Sequence, residues 1–191
     1  MHLLVGLGNV GREYELTRHN FGFLTIDQIA EDYALKCLGK KFKGEVFSGE
    51  IDNKKVVALK PHTFMNLSGR SVIEAANFYK IPLANIVVFH DEIDLEIGRV
   101  KTKIGGGSAG HNGLKSIDEI VGKNYARVRL GVGRPLNPNI AVADYVLGKF
   151  SAEELQKVES VNQKISKLIG DLISGNFDKF LNKFSSNAQA N

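Results

Sequence analysis

His19 and Asp91 are the residues whose types best suit catalysis, and asparagines accompany them in several predicted loops. An imidazole with an unperturbed pKa of about 6.5 can accept a proton from water near neutral pH. A carboxylate bonded to its other ring nitrogen would fix the tautomer, and asparagine amides can donate to a carbonyl oxygen that gains negative charge. This set predicts acyl transfer to water without a covalent intermediate. The loops contain Asn9, Arg18, His19, Asn20, residues 63–66, Asp91, His111 and Asn112.

Each of these residues also has an ordinary structural interpretation. A single histidine near a helix start is commonly a cap or a surface residue, and Asn9 and Asn66 suit turns. Asp91 could instead cap a helix or pair with a surface lysine. The spacing does not place the loops in contact, so a shared site is a hypothesis.

The segment GLGNVG at 6–11 matches the GxGxxG pattern of dinucleotide-binding sites and follows a predicted strand. In those sites the glycines lead directly into a helix whose first turn binds the pyrophosphate. Here residues 12–20 are polar, and the apolar helix begins only near Phe21. The pattern therefore predicts a glycine turn that permits close backbone approach, rather than a nicotinamide or flavin site.

The segment GGSAG at 106–110 matches the GxSxG pattern of serine hydrolases. That arrangement needs a histidine well downstream of the serine, but the last histidine is His111, three residues after Ser108. The preceding segment alternates with lysines, unlike a buried central strand. We therefore predict a flexible loop, facing a phosphate or serving as a hinge, and no serine nucleophile.

The segment HDEID at 90–94 has the composition of a metal cluster. Adjacent residues of an extended segment point to opposite faces, so His90 and Asp91 would not bind one ion together. No second cluster supplies the remaining ligands. We predict no metal, and a strand end whose acidic residues open into a cleft.

Strands and helices alternate along the chain, with some adjacent strand pairs. Apolar runs and alternation predict strands at residues 2–6, 47–51, 55–59, 86–89, 100–104 and 128–132. Helical spacing predicts helices at residues 21–35, 67–79 and 112–121, from Ser151 onward, and at 177–184. The pattern predicts an α/β fold in which a mixed, mostly parallel β-sheet is flanked by helices. Residues 1–184 are expected to form a single domain, and residues 185–191 a disordered tail.

The composition limits the class of protein. Its 25 basic and 21 acidic residues give a net charge of +4, which permits an anionic partner without requiring one. The single cysteine excludes an internal disulfide, and no zinc pattern of Cys and His occurs, so a reducing compartment is expected. No segment has the length and flanks of a signal peptide or a membrane span.

Five segments resemble the bacterial-type peptidyl-tRNA hydrolases and occur in the same order as in that family. They are GLGNVGREYELTRHNFGF (6–23), KPHTFMNLSG (60–69), HDEIDLEIGRVKTKIGGGSAGHNGLKSI (90–117), RVRLGVGRP (127–135) and, more weakly, DYVLGKF (144–150). One departure is Val10, where the family usually has a proline that would pre-set φ in the turn presenting Asn9.

The resemblance implies a single-domain α/β enzyme that is cytoplasmic, usually monomeric, and without cofactor or metal. Enzymes of this family hydrolyse the ester between a peptide and the ribose of the terminal tRNA adenosine. They thereby release tRNA from peptidyl-tRNA that has dropped off the ribosome.

The same resemblance implies roles for individual residues. His19 corresponds to the catalytic base, Asp91 to the carboxylate that holds it, and Asn9 to the residue that helps to distinguish blocked from free aminoacyl ends. Asn66 and Asn112 correspond to asparagines that position the substrate. The residues that match the lining of the cleft around the acceptor end are Tyr14, Phe64, Met65 and His111.

Lys103 and Arg129 correspond to the basic pair expected to bind the 5′ phosphate of the tRNA, assisted by Lys101. The residue pattern agrees with this role, because both lie on the polar faces of alternating strands and phosphate contacts need positive charge. An ordinary solvated strand face is the alternative interpretation.

Two other functions remain open from the sequence. A non-catalytic RNA-binding protein could use the same basic strands, and it would bind with strong salt dependence but form no product. A dinucleotide-dependent oxidoreductase would bind NAD(P)H, which the segment after the glycines argues against. The C-terminal helices could cover the cleft or contact tRNA.

Overall fold

A computed structural model describes residues 1–186 of the chain. Its strands are β1 (His2–Gly6), β2 (Lys36–Lys41), β3 (Gly44–Ile51), β4 (Lys54–Pro61), β5 (Ile86–Glu92), β6 (Val100–Ile104) and β7 (Ala126–Gly131). Its helices are α1 (Phe21–Asp32), α2 (Ser68–Phe78), α3 (Asn112–Ile120), α4 (Val142–Val146), α5 (Ala152–Ile173) and α6 (Phe177–Ser186). Short 3-10 turns lie at Arg18–Asn20, Met65–Leu67 and Leu83–Asn85. Within this range, none of the helices combines the length and apolar character needed to cross a membrane.

The strands form one mixed sheet in the order β2-β3-β4-β1-β5-β7-β6. The four central strands, β4, β1, β5 and β7, run parallel to one another. The outer strands β2, β3 and β6 pair antiparallel with their neighbours. The predicted α/β class, with a mixed sheet that is parallel at its centre, is therefore confirmed.

Helices cover both faces of this sheet, as the alternating order of elements predicts. Side chains of β1 alternate between the two faces. Leu4 packs with residues of α1, α5 and α6, whereas Leu3 and Val5 pack with residues of α2 and α3. This is the period of two expected for a strand that is buried on both sides.

Two short-range sequence signals have the expected geometry. Asp52 and Asn53 close the hairpin between β3 and β4 with positive φ values of 48° and 61°. After glycine, these residue types tolerate that conformation best. Ser151 and Glu154 form a capping box at the start of α5, in which each side chain accepts a hydrogen bond from the other residue's backbone N–H.

The structure contains two elements that the sequence pattern does not predict. β2 is an edge strand whose residues are almost all exposed, so its sequence shows no hydrophobic alternation. α4 has only five residues, too few for a helical stripe. Helix α6 extends to Ser186, so Ser185 and Ser186 are helical rather than part of the predicted tail. The rest of that tail, residues 187–191, lies outside the described residues.

Two glycines let α1 pack directly against the ends of β1 and β5. A Cβ on Gly6 would collide with the carbonyl oxygen of Gly22, and a Cβ on Gly22 would collide with that of Phe89. The start of α1 therefore lies at the carboxyl ends of two neighbouring parallel strands, together with the turn Arg18–Asn20 that precedes it. The glycine segment serves close backbone approach, as its sequence context predicts.

The carboxyl ends of β1 and β5 are also the point where the chain changes direction across the sheet. The chain leaves β1 toward β4 on one side, by way of α1, and leaves β5 toward β7 on the other, by way of α3. Diverging connections open a crevice at such strand ends, where open α/β sheets bind their ligands.

Candidate active site

Asp91 lies at the centre of a hydrogen-bonded cluster at the carboxyl end of β5. Its Oδ1 atom accepts hydrogen bonds from Nδ1 of His19 and Nε2 of His111, each at 2.9 Å. The Asp91 side chain is only 3% exposed, and both histidines are largely buried. The structure thus brings together two residues that are 72 positions apart in sequence, as the hypothesis of a shared site requires.

Hydrogen-bond partners determine the tautomers of both histidines. Nδ1 of His111 accepts the backbone N–H groups of Gly113 and Leu114, at 3.1 and 3.4 Å. The proton of His111 therefore lies on Nε2, which donates to Asp91. Because His19 donates to the same carboxylate through Nδ1, its Nε2 carries a lone pair that can accept a proton.

The charges of this cluster shift two pKa values in opposite directions. Burial alone would raise the pKa of Asp91, but the two histidines lower it well below its usual range. Burial lowers the pKa of His19, but the charge and hydrogen bond of Asp91 raise it, and the net shift is upward. Asp91 is therefore ionised at neutral pH and would stabilise an imidazolium at His19.

Asn20 joins the His19 turn to the loop after β1. Its Oδ1 accepts the backbone N–H of Asn9 at 2.8 Å, and its Nδ2 donates to the Asn9 carbonyl oxygen at 2.9 Å. Asn20 is buried and Asn9 is partly buried, so both bonds are partly shielded from water. Its place directly after His19 is the only sequence signal of this role, because the pairing with Asn9 depends on the fold.

Arg18 anchors the same turn from the other side. Its Nη2 donates to both carboxylate oxygens of Glu154, at 3.1 and 2.9 Å. Its guanidinium carbon lies 4.3 Å from the ring centroid of Tyr145, and its backbone N–H donates to the carbonyl oxygen of Gly148 at 3.1 Å. These contacts tie the His19 turn to α4 and to the start of α5.

An open cavity of about 510 Å³ borders the cluster. Its walls come from the loop after β1, the end of β5, residues 105–110 before α3, and α4. Residues 105–110 are called the glycine-rich loop below. The lining residues include Asn9, His19, His90, Asp91, Glu92, Ser108, His111, Asn112, Val142, Val146 and Leu147. Apolar side chains of α4 therefore face polar groups of the strand ends, which suits a ligand with both kinds of surface.

The predicted substrate-binding residues are divided between this cavity and its surroundings. Those that line it are Asn9, His111 and Asn112, and those outside its lining are Tyr14, Phe64, Met65 and Asn66. Phe64 is 79% exposed and Asn66 is exposed beside it. Met65 is buried, and a Cβ on Gly113 would lie 2.6 Å from its sulfur, so Met65 supports the start of α3.

The predicted phosphate-binding residues share one face at the edge of the sheet. Lys101 pairs with Arg129, and Lys103 with Arg127, across the antiparallel strands β6 and β7. Directly paired residues project from the same face. Lys101 and Lys103 are exposed, and Arg129 donates from Nε to Glu92 at 3.0 Å. Three of the four cations can therefore meet a ligand from solvent.

Arg127, the fourth cation, is buried and holds the glycine-rich loop. It donates to the carbonyl oxygens of Gly107 at 2.8 Å and Gly106 at 3.2 Å, and it pairs with Asp118 at 2.6 Å. Ser108 lines the cavity. The backbone N–H of His111 donates to its carbonyl oxygen at 2.9 Å, but no histidine side chain among residues 1–186 forms a hydrogen bond with its hydroxyl. The segment is thus a loop fastened to the sheet, and the arrangement gives no base to activate a serine.

His90 and Asp91 project from opposite faces of β5, as their adjacency predicts. Nδ1 of His90 bonds the backbone carbonyl oxygen of Asp91 at 2.8 Å. Burial is the largest of the effects that lower the pKa of His90, to about 3. His90 is therefore neutral at physiological pH.

A different trio has the composition of a metal site. His19, Asp91 and His111 offer ligand atoms within 4.8 Å of one another. A histidine that binds a metal through Nε2 must carry its proton on Nδ1. Nδ1 of His111, however, faces the N–H groups of Gly113 and Leu114 and so cannot donate there. The donor set therefore does not fit a metal ion in this arrangement.

Comparisons with known proteins identify the family of this chain. Residues 3–191 match the family described as Peptidyl-tRNA hydrolase. The chain belongs to the peptidyl-tRNA hydrolase family. A protein named peptidyl-tRNA hydrolase from Wolbachia sp. subsp. Drosophila simulans (strain wRi) is 50% identical, over 95% of this chain and 98% of its own length. One of the same name from Rickettsia conorii is 48% identical, over 97% of this chain and 100% of its own length. The crystal structure of peptidyl-tRNA hydrolase from Acinetobacter baumannii has a TM-score of 0.90 at 37% identity, covering 96% of this chain and 94% of that one.

Val10 is the position at which the sequence resemblance described above departs from the family pattern. Its side chain is 51% exposed. Both backbone groups of the preceding residue, Asn9, are bonded by the buried side chain of Asn20. These two bonds fix Asn9 without the restriction on φ that a proline ring would add at position 10.

Proposed function

We propose that this chain hydrolyses the ester bond of peptidyl-tRNA, with His19 as general base for the attacking water. One observation carries the role of His19: its Nδ1 bonds Asp91, which leaves Nε2 available to accept a proton beside an open cavity. Family membership supplies the substrate, because relatives of 48% to 50% identity are named for it.

The proposed reaction has two steps. Nε2 of His19 accepts a proton from water as the water oxygen bonds to the ester carbonyl carbon. Asp91, whose pKa is lowered, remains ionised and stabilises the resulting imidazolium. The bond to the ribose oxygen then breaks, and the imidazolium returns the proton to that oxygen. The products are a tRNA with a free ribose hydroxyl and a peptide carboxylic acid, which releases its proton to solvent at neutral pH.

We assign Asn9 and Asn112 to the carbonyl and amide groups next to the reacting carbon. Both line the cavity, Asn9 from the loop after β1 and Asn112 from the first turn of α3. An amide N–H aimed at the developing oxyanion lowers the barrier because it needs little reorganisation during the reaction. We assign Asn66, at the carboxyl end of β4, to a more distant part of the peptide.

We assign Lys101, Lys103 and Arg129 to the 5′ phosphate of the tRNA. Arg129 is the partner of His90 on the neighbouring strand, so this basic face lies level with the end of β5. Glu92 holds Nε of Arg129, and within residues 1–186 the two terminal nitrogens have no hydrogen-bond partner. A guanidinium fixed in this way can present two donors to a phosphate.

The remaining features of the proposal concern the cell. Peptidyl-tRNA arises where ribosomes translate, so we place the enzyme in the cytoplasm. Every group of the candidate site comes from one chain, so we propose that the monomer is active. Size-exclusion chromatography at assay concentration should then give one species near 21.0 kDa.

Single-turnover hydrolysis of peptidyl-tRNA tests the proposal directly. We expect His19→Ala to lower the rate constant about 10²- to 10⁴-fold and to leave tRNA binding close to that of the unchanged protein. His2→Ala is the matched control, because His2 lies at the opposite, amino end of β1.

Two outcomes would contradict the proposal in different ways. Full activity of the His19→Ala variant would remove His19 from the mechanism. Salt-dependent binding of tRNA without any product from the unchanged protein would instead favour the non-catalytic RNA-binding alternative.

A further inference from the structure

A second cavity, of about 450 Å³, lies beside the candidate active site. It is lined by Val10, by residues 40–44 and by His62. Asn9 lines the first cavity and the next residue, Val10, lines the second, so the two cavities meet the chain at consecutive residues. Residues 40–44 comprise the end of β2, the turn at Phe42 and Lys43, and the first residue of β3, and they are called the lysine hairpin below.

The tip of the lysine hairpin is held in one conformation. Phe42 and Lys43 have positive φ values of 51° and 54°, as a two-residue hairpin turn requires. The Phe42 carbonyl oxygen accepts the hydroxyl of Ser71 at 2.6 Å, and the Lys43 carbonyl oxygen accepts the backbone N–H of His62 at 2.8 Å. The Phe42 ring lies 5.1 Å from that of Phe78. The cavity wall is therefore formed before any ligand binds.

Two lysines of the hairpin carry charge that the rest of the protein leaves uncompensated. Lys43 forms an ion pair with Glu74. Lys40 and Lys41 are exposed and line the cavity, and neither forms an ion pair within residues 1–186. Surface cations of this kind attract an anionic group that enters the cavity.

The surroundings of His62 contain charges of both signs. Lys60 is paired with both Asp27 and Glu45, so it adds little net charge. Burial lowers the pKa of His62, and Lys60 and Lys40 lower it further against the opposing effect of Glu45. His62 is thus mainly neutral at pH 7, and the net attraction comes from the hairpin lysines.

The order of the strands gives the direction in which a substrate must run. The basic face assigned to tRNA lies on β6 and β7, at one side of the sheet. The cluster of His19 and Asp91 lies at the central strands β1 and β5. The lysine hairpin lies beyond β4, on the side of the cluster away from the basic face. A peptide that leaves the reacting ester away from the tRNA therefore crosses the end of β4. Strands are spaced about 4.8 Å apart and an extended chain rises about 3.3 Å per residue. The hairpin is reached roughly three to five residues from the ester.

On the basis of the proposed function, we propose that the lysine hairpin is a subsite for the peptide part of peptidyl-tRNA and favours acidic side chains. A carboxylate about three to five residues from the ester would lie near Lys40 and Lys41. The ester bond that is hydrolysed lies at the cluster of His19 and Asp91, not at the hairpin. The subsite should therefore change how well different peptides bind and leave the chemical step unchanged.

The test compares peptidyl-tRNAs that share one tRNA and differ at one peptide position. The peptides carry Asp, Asn or Lys four residues from the ester, and a fourth substrate carries a single N-acetylated amino acid. We expect kcat/KM to follow Asp > Asn > Lys, with a ratio of about three- to tenfold between Asp and Lys at low salt. The Lys40→Glu/Lys41→Glu variant should reverse this order.

A matched control separates local from net charge. Lys36→Glu/Lys55→Glu changes the net charge equally at exposed positions away from the hairpin, and it should retain the order Asp > Asn > Lys. Equal rates for all three peptides with the unchanged protein would overturn the subsite. Equal slowing of the acidic peptide and the single amino acid by Lys40→Glu/Lys41→Glu would also overturn it, because the lysines would then contact tRNA. Failure of the unchanged protein to cleave any substrate would instead refute the proposed function, and the subsite with it.

Discussion

The cluster around Asp91 and the basic face of β6 and β7 lie level with each other on the same sheet, but they differ in how their polar groups are satisfied. In the cluster, one buried carboxylate oxygen accepts two histidine N–H groups, and Asn20 bonds both backbone groups of Asn9. On the basic face, Lys101 and Lys103 extend into solvent, and within residues 1–186 neither forms an ion pair.

This contrast follows from what each region has to do. Proton transfer requires the base to be oriented before the substrate arrives, because reorganisation during the reaction raises the barrier. Binding to phosphate requires positive charge near the right place and tolerates flexible side chains. Substitutions in the cluster should therefore change kcat, whereas substitutions on the basic face should change KM and its dependence on salt.

The largest effect after loss of His19 itself is expected for Asp91→Asn. An asparagine keeps the size of the side chain but removes the charge that stabilises the imidazolium, and its amide can select the wrong tautomer of His19. We expect kcat to fall about 10²- to 10³-fold with little change in KM. Asp94→Asn is the control, because Asp94 lies on the surface just after β5. A rise in KM alone for Asp91→Asn would break the contrast between the two regions.

Asn20→Ala should have the next largest effect. It removes both bonds that fix Asn9 and leaves the partly buried N–H and carbonyl group of Asn9 without these partners. A small displacement of Asn9 and His19 should lower kcat about 10- to 100-fold, and thermal unfolding should show a loss of about 1–3 kcal/mol. Asn77→Ala, at an exposed position of α2, should change neither quantity appreciably. Unchanged kcat in Asn20→Ala would show that Asn9 needs no such support.

The dependence of rate on pH should sharpen the same contrast. His19 must be neutral to accept a proton, and its pKa is raised above 6.5 by Asp91 despite burial. Activity should therefore fall as pH decreases through that raised pKa, so the acid limb of kcat/KM lies above about pH 6.5. Asp91→Asn removes the raising charge, and the limb should move to lower pH. An acid limb that stays in place in this variant would mean that another group titrates.

The basic face and the cluster also differ in how much of each the sequence predicts. Alternation along β6 and β7 places Lys101, Lys103, Arg127 and Arg129 on polar faces without any tertiary information. It does not show that Arg127 is covered, because the glycine-rich loop that accepts its hydrogen bonds lies 20 residues earlier in the chain. Which cations are accessible therefore depends on packing that no local pattern encodes.

For the cluster, the sequence predicts the residue types, and the family resemblance predicts their roles. The contacts are a product of the fold, because they require Gly6 and Gly22 to bring α1 against the strand ends. Asn20 and Arg18 act through partners 11 and 136 residues away, which spacing alone does not reveal. The edge strand β2 is not predicted either, because its sequence lacks hydrophobic alternation. The position of the lysine hairpin therefore cannot be predicted from the sequence.

The smallest effect is expected for Lys103→Ala, and it should be confined to binding. We expect KM to rise about two- to fivefold and the salt dependence of log KM to decrease in slope by about 1, because one phosphate contact is lost. Lys167→Ala, on α5 at the other face of the sheet, should alter neither.

A tRNA without its 5′ phosphate identifies the contact itself. Removal of the 5′ phosphate should weaken tRNA binding to the unchanged protein but should have little further effect on binding to the Lys103→Ala variant. The loss of the phosphate and the loss of the Lys103 side chain would each delete the same interaction. Independent, additive losses would place Lys103 against another part of the tRNA. A fall in kcat with an unchanged salt slope would assign Lys103 to the chemistry and remove the distinction between an oriented cluster and a flexible basic face.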